Sequence, residues 1–289
     1  MLWIVRGAWA VLPVTAGTSI ADAMTSWSSG PRAVAAALLW LLWAIGLLAA
    51  FIPRPISVAT LRTFAPIAFA LAAVSATSTS TAGAVTGVAV TALAWFGVAT
   101  PAFARAGVNA LAYGDEDRYP LKTPPALFLG PLPLAVALFA AGVSSGPLLL
   151  ADARWLIGAV AVVVGFPLAF VLARSFIGLT RRMAVLVPAG IVIVDPMTLG
   201  DPYLFTQDHI ARLRTVESGE RADDMTLDTR AGAFVGALGL EFREPADVLR
   251  VRPGRRGGAM SKISNIWFSP VQAHRFTTQA EARRSRRVQ

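Results

Sequence analysis

The chain has 289 residues, 55% apolar and only 15% charged, with a formal net charge of +9. Soluble domains carry roughly 25% charged residues, so the composition argues against a wholly soluble chain; the length allows a membrane domain and one small soluble domain. With no cysteine, disulfides, thiolate metal sites and cysteine nucleophiles are excluded together.

The charge is unevenly placed. Residues 1–173 hold eight basic and five acidic side chains, and residues 174–289 hold eighteen and twelve. The basic excess therefore lies mostly in the C-terminal part, where the anionic lipids of a cytoplasmic leaflet are a natural partner. Nucleic acid is not, because no aromatic–basic interleaving or recognition motif accompanies the charge. Lys122 and Lys262 are the two lysines beside a large excess of arginine, and with heavy Ala, Val and Gly use this is the composition of a high-GC bacterial genome.

In chain order, residues 1–32 are apolar but broken by Arg6 and Pro13. They read as an interfacial helix, a signal segment with Ala21-Asp22-Ala23 as its cleavage site, or a sixth span. Trp3, Trp9 and Trp27 suit a membrane–water interface or packing against the first span. Residues 33–174 form the transmembrane domain, with about five spans. The first is 33–52, about twenty residues without charge, the length a bilayer core requires. The second is 56–76, with Arg62 close enough to its start to snorkel. The third is 82–103 and carries Gly83-x-x-x-Gly87, a spacing that lets helices approach closely. The fourth, 126–143, is interrupted by Gly130, Pro131 and Pro133, which kink or break a helix. The fifth, 155–173, is almost wholly apolar and is followed by Arg174, Arg181 and Arg182.

The positive-inside rule sets the orientation. With the C-terminus inside, the inner segments carry Arg54, Arg62, Arg105, Arg118, Lys122, Arg174, Arg181 and Arg182. The outer ones carry Arg6, Arg32 and Arg154. The expected location is therefore a bacterial plasma membrane, with the C-terminal part cytoplasmic.

Residues 183–289 read as a small β-rich domain ending in a helix and a basic tail. Short β-branched runs flank Pro188-Ala189-Gly190, strand signals follow at 203–205, 209–215, 234–242, 248–251 and 263–271, and 277–287 favours helix. Three segments, RRMAVLVPAGIVIVD, TQDHIARLR and FSPVQAHRFTTQAEARR, together resemble a small bacterial pleckstrin-homology-like barrel. The whole chain resembles multi-pass membrane proteins of actinobacterial type with such a domain. Inositide-binding members of that fold carry basic residues in the first hairpin loop. Here that loop is Pro188-Ala189-Gly190, without charge, which points away from inositide recognition there.

Candidate chemistry is sparse. Asp195-Pro196, Asp201-Pro202 and Asp208 read as turn openers more than as a cation site. His209 and His274 lie too far apart for a metal site, and Gly254–Lys262 fails the phosphate-loop spacing. No span has a charge near its middle, which counts against an ion-coupled transporter. Two readings follow. The first is a non-enzymatic scaffold or regulator whose β-domain docks a protein partner or anionic lipids through Arg255, Arg256, Arg283, Arg284, Arg286 and Arg287, with no cofactor or metal. The alternative is a membrane enzyme or transporter for lipid-linked or small substrates. Its site would be the polar loop 105–125, with Arg105, Asp115, Asp117, Arg118 and Lys122 placed to meet a phosphate.

Overall fold

The computed structural model describes residues 2–78, 82–251 and 258–286. The chain divides into two units: Met1–Gly107 with Gly130–Ile177, and Val108–Leu129 with Gly178–Gln289.

The first unit is helical. It opens with α1 (Leu2–Ala10), a 3-10 turn (Leu12–Val14) and α2 (Ala16–Ala23), followed by α3 (Ser29–Phe51), α4 (Pro55–Ser78), α5 (Ala82–Ala99) and α6 (Pro101–Asn109). After a short helix, α7 (Pro125–Phe128), come α8 (Pro131–Ala151) and α9 (Trp155–Thr180). Among the described residues five helices, α3, α4, α5, α8 and α9, are long and apolar enough to cross a membrane.

Two boundaries differ instructively from the sequence expectation. Pro131 and Pro133 do not interrupt the fourth apolar helix; they start it. First-turn N–H groups have no intrahelical partner, so proline costs nothing there. The helix then runs to Ala151, past the expected end at residue 143. Likewise α9 continues past residue 173 to Thr180, carrying Arg174 on helix.

Segment 2–23 packs into the bundle: α1 lies on α3 and α5, and α2 lies on α4 and α5. Val5 and Trp9 are fully buried, in one cluster with Leu61 and Val98. The indoles of Trp9 and Trp43 exchange hydrogen bonds, each Nε1–H donating to the other's carbonyl at 2.9 and 3.0 Å. Trp9 fits because position 46 is glycine; a Cβ there would stand 2.1 Å from the indole ring. Gly87 of the Gly83-x-x-x-Gly87 spacing forms a comparable seam with α2, where a Cβ would come within 2.8 Å of the Ala16 Cα.

The second unit is sheet-rich. Its first sheet has the order β1 (Asp117–Pro120), β2 (Met183–Val187), β3 (Gly190–Val194), β4 (Tyr203–Thr206), all antiparallel. Its second sheet contains β5 (Ile210–Thr215), β6 (Thr226–Asp228), β7 (Leu238–Val251) and β8 (Gly258–Phe268), in the order β5-β7-β8-β6, with β6 parallel to β8. The sheets meet through two isolated bridges, Leu121 with Pro270 and Leu199 with Arg250, rather than through a closed barrel. A C-terminal helix, α10 (Ala273–Arg286), completes the unit. One core joins Leu186, Ile193 and Phe205 of the first sheet to Leu240, Ile266 and Phe268 of the second. Phe276 of α10 enters it, edge-on to Tyr119 at 5.1 Å and to Phe268 at 5.5 Å.

β1 comes from the loop between the third and fourth apolar helices. Arg118 is the Cα partner of Val185, and Pro120 of Met183. The sheet unit is therefore built from two stretches of chain separated by α8 and α9. The loop and the C-terminal segment consequently share one side of any bilayer these helices cross.

Candidate functional site

Two places on the sheet unit gather functional side chains. The first is the end of the first sheet where Pro120 faces Met183, close to the end of α9. Arg182, two residues past α9, is 1% exposed, and its side chain closes a bidentate pair on the fully buried Asp195 at 2.9 and 3.0 Å. The guanidinium also donates to the carbonyl of Lys122 at 3.2 Å and to that of Thr229. Asp195 accepts the Met197 N–H at 3.1 Å, the turn chemistry expected of Asp-Pro. Arg182 thus faces inward, whereas its neighbour Arg181 is exposed, as is Arg174 on α9.

The second is a groove of about 150 Å³ between α10, β5 and the β2–β3 turn. Its floor includes Leu186, Ile210 and Leu213; Gln207, Arg212, Glu281 and Arg284 form the polar rim. Arg283 donates to the Leu186 carbonyl at 3.0 Å and Arg284 to that of Ala211 at 3.5 Å. Both bonds dock α10. They also hold these arginines near the β2–β3 turn, away from the Pro120–Met183 end. At about 3.3 Å per residue the two ends of β2 are roughly 13 Å apart.

Of the other basic residues singled out in the sequence, Arg286 closes α10, while Arg255, Arg256 and Arg287 lie outside the described residues. The loop residues are divided. Arg105 is buried in α6 and belongs to the helical unit; Asp115, Asp117, Arg118 and Lys122 belong to the sheet unit. Asp115 is exposed in a turn. Asp117 and Arg118 are β1 residues, with the Tyr119 hydroxyl donating to Asp117 at 3.2 Å and Arg118 paired with Glu116 at 2.8 Å. That bond holds the Glu116 carboxyl below its usual range. Lys122 donates its ammonium to the Val235 carbonyl at 2.7 Å.

Sequence reasoning missed an arginine–aromatic cluster on the second sheet. The Arg230 guanidinium lies 4.4 Å from the Trp267 ring centroid and 5.0 Å from that of Phe234, and Arg214 lies 5.9 Å from Trp267. Arg214 reaches Glu241 at 2.7 Å and also pairs with Glu220. Hydrogen bonds from Arg214 lower the Glu220 carboxyl, and those from Arg212 and then Arg214 lower Glu241. Arg214 is raised in turn, first by Glu220. No linear spacing signals this cluster, because β5, β7 and β8 come together only through the sheet.

His209 is half-buried against Phe242, ring centroids 5.4 Å apart. Among the described residues no group of three or more His, Cys, Asp or Glu could hold a metal ion. Compared with known proteins, the chain matches no family model, no curated protein and no solved structure.

Proposed function

We propose that this chain is an integral protein of a bacterial plasma membrane, spanning it five times with its C-terminus in the cytoplasm. Its pleckstrin-homology-like β-domain serves as a non-enzymatic scaffold or regulator that docks a protein partner. Five helices of spanning length support the membrane reading, and the exposed cations Arg174 and Arg181 support the orientation. Two four-stranded sheets over one core, with a C-terminal helix packed on it, support the fold analogy.

The observation that carries the docking role is the α10–β5 groove. It is concave, apolar at its floor and basic at its rim, and it stands at the sheet end opposite the link to α9. The test is affinity purification of the full chain in mild detergent, with and without Arg284→Glu and Gln207→Glu together. A stoichiometric protein lost from the variant, which still folds by circular dichroism, is the expected result; equal recovery from both would overturn the groove as the docking site.

A second reading, handling of lipid-linked or small apolar substrates, draws on a cavity of about 310 Å³ in the helical unit. Leu12 and Ala16 at the break between α1 and α2 line it, with Met24 after α2, Trp40 and Trp43 of α3 and Leu71 of α4. A lipid that co-purifies stoichiometrically from the wild type and is lost from Ala36→Phe would shift the weight to this reading.

A further inference from the structure

Residues 2–23 carry Arg6 near their start, Asp22 near their end and no charge between. At about 1.5 Å per residue the segment covers about 33 Å, enough for a ~30 Å hydrocarbon core. Its one interruption is satisfied from within the bundle. Pro13 has no N–H to donate to the Trp9 carbonyl, and the Trp43 indole donates there instead at 3.0 Å. Val14 and Thr15 turn back to the Val11 and Leu12 carbonyls at 3.2 and 3.3 Å. A broken helix is tolerated at membrane depth when its backbone is paired in this way.

The contacts of this segment follow the helical unit from one end to the other. Arg6 Nε donates to the Ala50 carbonyl at 3.0 Å, one of those that the end of α3 leaves open. A Cβ on Gly97, near the end of α5, would stand 2.7 Å from Val5, and one on Gly87 would stand 2.8 Å from Ala16. As the segment rises from 5 to 16, its partner on α5 falls from 97 to 87, so the two run antiparallel. The Ser19 hydroxyl then lies 3.4 Å from that of Ser75, three residues before the end of α4. Val5, Trp9, Leu12, Ala16 and Ser19 make one buried stripe that continues through the break. The opposite side is apolar too: Trp3, Ile4, Val11 and Val14 are exposed, and no exposed residue from 2 to 21 is charged. An interfacial helix turns a charged or polar face outward; a segment apolar all round suits hydrocarbon.

The same unit fixes which end is shared with α9. A Cβ on Gly30, at the start of α3, would stand 2.5 Å from the Ala151 carbonyl, at the end of α8. Gly142 meets Gly165, and Gly146 meets Val162, so α9 returns antiparallel to α8 and finishes at the end of the bundle where α3 finishes.

We propose that residues 2–23 form a sixth, discontinuous crossing beside the five continuous ones, placing Leu2 on the side of the membrane where α9 ends. Arg6, which a five-span count puts outside, then joins Arg54, Arg62, Arg105 and Arg174 on the inner side. Arg32 and Arg154 are left opposite, together with Asp22 and Asp152, the two acidic residues of the helical unit. The proposal rests on the reading that the five long helices span the bilayer.

The chain has no cysteine of its own, so single cysteines report cleanly in the full chain. They are introduced in a short extension before Met1 and as Thr25→Cys, Asp152→Cys and Ser218→Cys. Each is labelled with a membrane-impermeant maleimide in spheroplasts, before and after the membrane is opened. The extension should follow Ser218→Cys, and Thr25→Cys should follow Asp152→Cys, with several-fold opposite access for the two pairs and an unshortened mass for the purified chain. An extension that labels like Thr25→Cys would overturn the sixth crossing, as would a chain cut after Ala23. Equal labelling of Asp152→Cys and Ser218→Cys would overturn the spanning reading itself, and the crossing with it.

Discussion

Arg182 and Asp195 form a fully enclosed bidentate ion pair that ties the start of β2 to the end of β3. The pair does more than close a hairpin. Through the carbonyls of Lys122 and Thr229, Arg182 also fixes the incoming β1 segment and the loop before β7. Four stretches of the sheet unit therefore converge on one guanidinium.

Breaking that pair from one side leaves a buried charge without its partner, which costs about 3–5 kcal/mol. Arg182→Met or Asp195→Leu alone should sharply lower the melting temperature of the purified chain. The double variant should recover part of the loss, since neither charge remains buried, though the Lys122 and Thr229 carbonyls still lose their donor. A double-mutant cycle on thermal unfolding in detergent reads this directly.

Tyr119 is fully buried in the shared core, its ring against Phe276 and its hydroxyl bonded to Gln279. Tyr119→Ala should destabilise the sheet unit by about 3–5 kcal/mol, the range for large aromatic truncations in cores. Asp115→Asn, in an exposed turn, should change stability by less than about 0.5 kcal/mol. Limited proteolysis within the C-terminal segment distinguishes the two: faster for the first, unchanged for the second.

The Arg214 network predicts an acid-dependent loss of stability. Glu220 and Glu241 titrate below their usual value of 4.5 in the folded chain. A depressed carboxyl contributes stability that is fully present above its unfolded pKa and fades as pH falls through the folded one. Arg214→Gln should therefore lower the melting temperature at pH 7. The gap to wild type should close as pH drops below that usual value. These side chains are a quarter to a third exposed, so the effect is modest and should shrink in high salt.

In the helical unit, Gly46→Leu places a side chain where the Trp9 ring lies. It should displace α1 from the bundle, lower the melting temperature by several degrees and raise the quenching of Trp9 by aqueous iodide. Trp9→Phe with wild-type Gly46 keeps the ring space filled and removes the donor to the Trp43 carbonyl, so its loss should be smaller.

The sequence made the apolar helices legible because length and hydropathy suffice for them: all five expected spans correspond to helices, and their ends shifted where proline sits harmlessly in a first turn. The β-branched runs around Pro188-Ala189-Gly190 are legible as strand, as a hairpin or one bent strand; the structure pairs them as a hairpin. β1 is not legible. Asp-Arg-Tyr-Pro is four residues long, polar, and ends in proline, and it becomes a strand only because β2 offers an edge. The apolar pattern shows β7 as two pieces because Arg243-Glu244-Pro245 breaks it; the strand absorbs those residues as a register shift between Glu241 and Ala246. The Arg182–Asp195 pair was hidden for a similar reason. Arg182 looked like a juxtamembrane cation and Asp195 like a turn opener, and their mutual burial follows only from the pairing of β2 with β3.

The loop between the third and fourth apolar helices supplies a strand, β1, to the C-terminal sheet unit. Arg118 and Val185 are Cα partners across β1 and β2, and the chain has no cysteine of its own. Arg118→Cys with Val185→Cys, in the full chain in native membranes, should form a disulfide in high yield under mild oxidation. Arg118→Cys with Ser218→Cys should not. A 118–185 pair that stays reduced and freely labelled, in protein that otherwise folds, would contradict the account.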